Sequence, residues 1–117
     1  MLLQAMQTAT QDAHSEMRFG SEKIAGIQEK VLGIIWNLGV DPDHKIEIAS
    51  AGAISSILES IHSFSAHTGV QEQAVGVIMV LALNRENRSK IAEEGGVHTV
   101  VEAMHANSAH TGERWAR

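Results

Sequence analysis

The chain has 117 residues, an apolar fraction of 44%, a net charge of −5 and no cysteine. These values are typical of one small folded domain and exclude disulfides, thiolate catalysis and sulfur-ligated zinc. The acidic balance, without a cluster of basic residues, argues against nucleic acid as a partner and favours a basic or neutral peptide. The absence of cysteine fits a cytoplasmic or nuclear location. No apolar run approaches the about 20 residues that cross a bilayer, so we expect no membrane span.

The sequence of residues 27–69 recurs at residues 70–112. The two segments, called here the first unit and the second unit, align without a gap, and 15 of 43 positions are identical. A period of this length is typical of solenoids, in which stacked helical units share a continuous core. The sequence therefore predicts an all-α superhelix with two full 43-residue units.

Both ends of the chain resemble parts of a unit. Residues 1–9 are similar to the end of a unit and are predicted to be a partial repeat. Residues 10–26 are a polar insertion, 12 residues longer than the same place in the second unit, and are predicted to form a loop or a helical extension. Residues 113–117 begin a further, truncated repeat. We expect the whole chain to form a single domain.

The first helix of the first unit is predicted over residues 27–40. Its apolar residues occupy nearly every face, which predicts burial between neighbours on several sides. These residues are Ile27, Val31, Leu32, Ile34, Ile35, Trp36, Leu38 and Val40. The counterparts in the second unit are Val70, Ala74, Val77, Ile78 and Leu81. Thr68, followed three residues later by Gln71, predicts a capping box at the start of that second copy.

The second helix of each unit is short. Asp41 is predicted as its N-cap, Pro42 as its first residue, and Gly52 as its left-handed end. Ile46 and Ile48 are predicted to form its apolar face. In the second unit the corresponding cap, apolar residue and end are Asn84, Ile91 and Gly95–Gly96.

The third helix is predicted to be amphipathic, with apolar residues at i, i+3, i+4 and i+7. In the first unit these residues are Ile54, Ile57, Leu58 and Ile61, and in the second they are Val97, Val100, Val101 and Met104.

A unit of this length with a short helix, a glycine turn and two longer helices resembles the armadillo repeat. The residues that carry the resemblance are Gln28-Glu29-Lys30, Leu38, Asp41-Pro42-Asp43 and Ala51-Gly52-Ala53-Ile54. Their counterparts are Gln71-Glu72-Gln73, Leu81, Asn84-Arg85-Glu86-Asn87 and Glu94-Gly95-Gly96-Val97. The resemblance covers residues 27–112 and implies an armadillo-like solenoid. Its helices 27–40 and 70–83 would line a concave groove that binds an extended peptide.

In the importin-alpha branch of that family, the groove helix carries a Trp and, four residues later, an Asn that holds the peptide backbone. The resemblance places Asn37 at the Asn position and Gly33 at the Trp position, and the second unit has Gly76 and Val80 there. Trp36 is adjacent to Asn37 but is expected to point about 100° away around the helix. Binding of nuclear-import cargo is therefore a less favoured alternative.

The predicted peptide-binding residues are Asn37, Lys30, Gly33, Gln73, Gly76, Trp36 and Val80. Each has a structural alternative. Asn37 either pairs with a ligand backbone or caps the turn before Asp41. The two glycines either allow close helix packing or clear the floor of the groove. Lys30 and Gln73 either contact a peptide or form a solvated edge.

No catalytic or metal-binding motif is present. The histidine pair His62 and His67 recurs as His105 and His110, but no His-Glu-x-x-His pattern or carboxylate cluster accompanies it. A histidine near a helix C-terminus is favoured by the helix dipole without a metal. We therefore expect a protein-binding module that is not an enzyme, with no cofactor.

The alternative function is self-assembly. The ends are predicted to expose apolar residues on opposite sides, and stacking of these faces would form a homo-oligomer. They are Leu2, Leu3 and Met6 at one side, and Val100, Val101 and Met104 at the other.

Overall fold

The computed structural model describes residues 18–108, and this part of the protein is all α, as the sequence predicts. Its six helices are α1 (Arg18–Leu38), α2 (Pro42–Ser50), α3 (Ala53–Ser63), α4 (Thr68–Leu81), α5 (Arg85–Glu93) and α6 (Gly96–Ser108). None of them combines the length and the apolar character that a membrane crossing needs. The predicted partial repeats at 1–9 and 113–117 lie outside the described residues.

Local signals set the ends of α2. Asp41 has extended backbone (φ −77, ψ 135) as the N-cap, and Pro42 follows as the first helical residue. Gly52 takes the left-handed conformation, with φ of 87°, directly before α3. A residue without a Cβ adopts this conformation at no steric cost, so the short turn from α2 to α3 depends on glycine.

The second unit uses the same signals in α5. The side-chain oxygen of Asn84 accepts a hydrogen bond from the backbone N–H of Asn87 at 2.9 Å, and Gly95 follows the helix with φ of 83°. The first residues of α2 and α5, Pro42 and Arg85, are 43 residues apart. The same separation holds between Ala53 of α3 and Gly96 of α6.

Helix α1 begins before the first unit. It starts at Arg18, so residues 18–26 of the predicted insertion are a helical extension rather than a loop. Residues 10–17 lie outside the described part of the chain.

The predicted capping box at Thr68 is wrong. His67 is the N-cap of α4, and no side chain caps the helix there. The Gln71 side chain is buried instead, and its Nε2 donates to the backbone oxygens of Ile61 at 2.8 Å and Phe64 at 3.0 Å. Gln71 therefore supplies donors to carbonyls at the C-terminal end of α3, which have no partner within their own helix.

The core lies where α4 packs against α1 and α3. Its buried apolar residues include Leu32, Ile54, Ile57, Phe64, Val70, Ala74, Val77 and Leu81. A fully buried side chain of the size of leucine or isoleucine contributes about 1.5–3 kcal/mol by leaving water. The predicted burial of α4 and of the apolar stripe on α3 is confirmed.

Other burial predictions are wrong. Ile27, Ile34 and Leu38 of α1 are exposed, so this helix is not covered on every side. On α2, Ile46 is exposed, while Lys45 and Ala49 are buried. The Lys45 ammonium tolerates this position because it donates to the backbone oxygen of Val40 at 2.9 Å.

A polar contact joins the two short helices. The Asn87 side chain on α5 is buried, and its Nδ2 donates to the backbone oxygen of Lys45 on α2 at 3.1 Å. This contact connects the two units across 42 residues of sequence. Sequence reasoning missed it, because a polar residue in a short helix is usually exposed.

Candidate functional site

A shallow groove runs between α1 and α4. Its lining comprises Lys30, Gly33, Ile34, Trp36, Asn37 and Gln73, and its volume is about 500 Å³. Five of the seven predicted peptide-binding residues therefore lie together. Ile34 was predicted as a buried residue, yet it shares one face with Lys30 and Asn37, at i, i+4 and i+7. From this spacing, the sequence alone could have predicted that Ile34 lines the groove.

Trp36 lies in the groove because its ring extends across to α4. The ring sits against Gly76, where an added Cβ would overlap ring atoms of Trp36. Trp36 lines the groove together with Asn37, although the two side chains leave the helix about 100° apart, because the Trp36 side chain is long enough to reach the neighbouring helix. Gly76 therefore serves close helix packing, one of its two predicted roles.

Gly33 has different surroundings from Gly76, although the two residues occupy the same position in the two units. A Cβ added at Gly33 would lie 3.6 Å from Oε1 of Gln73, which is an ordinary contact distance. Close packing therefore does not require glycine at residue 33. The absence of a side chain there leaves the floor of the groove clear.

Val80 lies away from the groove. Its Cγ1 would be 3.5 Å from a Cβ added at Gly39, next to the C-terminal end of α1. Val80 is not among the described residues that line the groove, so the structure does not bring it together with Asn37 and Lys30.

The Asn37 side chain is exposed, and no hydrogen bond connects it to any residue between 18 and 108. The turn before Asp41 is closed by the backbone instead: the N–H of Gly39 donates to Ile35 at 2.8 Å, and that of Val40 to Asn37 at 3.5 Å. The Asn37 amide therefore does not cap this turn, and the residue lines the groove.

Two more polar side chains of the groove also lack a hydrogen-bond partner among the described residues. Lys30 is exposed and Gln73 is half-buried, and neither side chain forms a hydrogen bond within the described residues. Lys30 is also the one charged residue among those that line the groove. The groove thus combines two amides and one ammonium group with the apolar surfaces of Trp36 and Ile34.

Two of the described histidines contact neighbouring side chains, and His110 lies outside the described residues. The Nε2 atom of His62, on α3, is 3.1 Å from Oγ1 of Thr99, and Nε2 of His98 is 3.2 Å from Oε2 of Glu102, on the same helix. The first contact joins α3 to α6, and the second is an exposed pair within α6. Within residues 18–108, no group of three or more potential metal ligands comes together.

No family model matches the sequence, and no curated protein or solved structure matches it significantly. The resemblance to the armadillo repeat therefore depends on the residues quoted above.

Proposed function

We propose that this chain is a non-catalytic binding module of the armadillo-like solenoid type that holds an extended segment of another protein between α1 and α4. One observation carries the proposal. The amides of Asn37 and Gln73 and the ammonium group of Lys30 line a single open groove without a hydrogen bond to any described residue. Unpaired polar groups beside exposed apolar surface are what an extended peptide requires.

The Asn37 side chain suits a peptide backbone. Its amide offers one acceptor and two donors, so it pairs with the C=O and N–H of one extended residue. Contacts of this kind provide affinity that does not depend on peptide sequence, whereas side-chain pockets provide specificity. In the proposed complex, Trp36 and Ile34 pack against aliphatic side chains of the peptide.

The chemistry of the ligand follows from charge. The chain carries a net charge of −5, which favours the approach of a basic or neutral peptide. Cargo binding as in nuclear import is less well supported, because Gly33 occupies the position where the resemblance expects a groove Trp.

The proposal is tested with a displayed library of short peptides. An enriched peptide is titrated while the fluorescence of Trp36 is followed in a Trp115→Phe background, since the chain has 2 tryptophans. We expect Asn37→Ala to raise the Kd about 10-fold, because it removes about 1–1.5 kcal/mol of net hydrogen bonding. The melting temperature should stay the same, because the side chain is exposed and unpaired.

Asn107→Ala is the matched control. Asn107 lies on α6, and its Nδ2 donates to the backbone oxygen of Ala103 at 2.7 Å, away from the groove. We expect its Kd to equal that of the parent chain. Equal losses in both variants, or a collapse of the melting temperature in Asn37→Ala, would show that Asn37 has a structural role.

A further inference from the structure

The two units differ in how their first helices are covered. On α1, the exposed fractions of Ile27, Ile34 and Leu38 are 51%, 45% and 43%. At the corresponding positions of α4, Val70, Val77 and Leu81 are only 1%, 1% and 0% exposed, because α4 packs on α1 and α3. We call the three exposed residues of α1 the head face.

The opposite side of the molecule carries a complementary surface. Between α4 and α6 lies an open groove of about 550 Å³ with Val75, Val100, Ala103 and Met104 in its lining, which we call the tail groove. The corresponding place between α1 and α3 is occupied by α4. Accordingly, Val101 and Met104 are 40% and 38% exposed, whereas their counterparts Leu58 and Ile61 are 4% and 3% exposed.

Two contacts between α1 and α4 show how the first helix of one unit packs against the first helix of the next unit. A Cβ added at Gly69 of α4 would overlap with the Glu29 carboxylate of α1. A Cβ added at Gly76 would overlap with the Trp36 ring. The corresponding glycines of α1 are Gly26 and Gly33. Among residues 18–108, no atom lies within 4 Å of a Cβ added at Gly26, and only the flexible Gln73 side chain lies near one added at Gly33.

The side chains that would fill these two sites are present on α4. They are Glu72 and Met79, the counterparts of Glu29 and Trp36, and both are exposed. Gly26 and Gly33 of α1 and Glu72 and Met79 of α4 are therefore the counterparts of the residues that join α1 to α4 within the chain.

We propose that a second chain of the same sequence covers these surfaces, with α1 of one chain seated in the tail groove of another. In this arrangement, α1 of one chain packs between α4 and α6 of the other, in the way that α4 packs between α1 and α3 within the chain. This interface is head-to-tail, so each added chain offers a new tail groove and growth does not close at two chains. Ile27, Leu38 and the tail groove lie outside the groove between α1 and α4, whereas Ile34 lines that groove as well. The proposal is therefore tested at Ile27 and the tail groove, apart from peptide binding.

The experiment measures mass by light scattering after size exclusion, over a concentration series of the full chain. We expect the parent mass to rise with concentration above that of one chain, 12.6 kDa. Ile27→Lys destroys the head face and Met104→Glu the tail groove, and each variant alone should have the mass of one chain. Mixed in equal amounts, they should form a complex of two chains and no larger species, because each brings one intact surface.

Two matched controls place the same charges elsewhere. Ile46→Lys and Leu83→Glu change residues that are exposed in the chain, and the counterparts Ser89 and Val40 are exposed as well. Both controls should retain the concentration dependence of the parent chain. Asn37→Ala should retain it too, which separates this proposal from the peptide-binding function. If a head or tail variant loses its helical circular dichroism, Leu38→Lys and Val101→Glu replace the pair.

Three results would overturn the proposal. The first is a parent chain that keeps the mass of one chain at every concentration, as expected if residues 1–17 cover the head face. The second is a parent mass that stops at two chains, which indicates a symmetric dimer. The third is a mixture of the head and tail variants that contains single chains only.

Discussion

Helix α4 and the last two-thirds of α1 have the same apolar pattern, yet they have different surroundings. Helix α4 contacts α1 on one side and α3 on the other, and its apolar stripe is buried. In the described part of the chain no helix covers the corresponding stripe on α1 in this way, and Ile27, Ile34 and Leu38 are exposed. The same difference separates α3, whose stripe is buried, from α6. A repeated sequence thus specifies a helix and its faces, while burial depends on which neighbours are present.

The largest expected effect comes from the same substitution at the last leucine of each helix. Leu81→Ala should lower the free energy of unfolding by about 2–5 kcal/mol, because the side chain is fully buried. Leu38→Ala should cost less than about 1 kcal/mol, because that side chain is already exposed to water. Urea unfolding followed by circular dichroism measures both values at a concentration where the chain is monomeric. Equal losses would mean that the head face is covered in solution.

The second comparison uses the two glycines of the groove helices. Gly76→Ala should destabilise the protein by about 1–3 kcal/mol, because the new methyl group overlaps the Trp36 ring. Gly33→Ala should raise stability by up to about 1 kcal/mol, because alanine has the higher helix propensity and the space is open. The melting temperatures of the two variants should therefore shift in opposite directions.

A double variant provides the control for the Gly76 result. The atoms that a Cβ at residue 76 would overlap belong to the six-membered ring of Trp36. Combining Gly76→Ala with Trp36→Phe makes room for the methyl group, so the two changes together should cost less than their sum. Additive losses would show that the overlap with Trp36 is not the cause.

The smallest expected effect concerns the caps of α2 and α5. Asn84→Ala should cost about 1 kcal/mol, because the side chain accepts a hydrogen bond from the N–H of Asn87. Asp41→Ala should cost only a few tenths of a kcal/mol, because the Asp41 side chain forms no capping hydrogen bond. Thermal unfolding of the two variants measures the two losses of stability. A larger loss for Asp41→Ala would reverse the ranking of the two caps.

Local chemistry made much of the fold predictable. Proline at residue 42, left-handed glycines at 52 and 95, and the amide of Asn84 act within a few residues of themselves, so their roles follow from sequence alone. The capping box at Thr68 failed for the opposite reason. The Gln71 amide donates to the carbonyls of Phe64 and Ile61, at and just after the C-terminal end of α3 and seven and ten residues earlier in the chain. A rule based on neighbouring residues does not take such acceptors into account.

The sequence by itself determined the helical class and the helix starts spaced 43 residues apart, and it predicted five of the six residues that line the groove between α1 and α4. Periodicity and chain stereochemistry are enough for these features. Only the tertiary structure decided that Trp36 lies over Gly76, that Gly33 stays open, and that Val80 lies apart. It also decided that Ile27 is exposed while Val70 is buried. The physical reason is that burial and steric fit belong to pairs of surfaces, and a single segment of sequence describes only one surface of each pair.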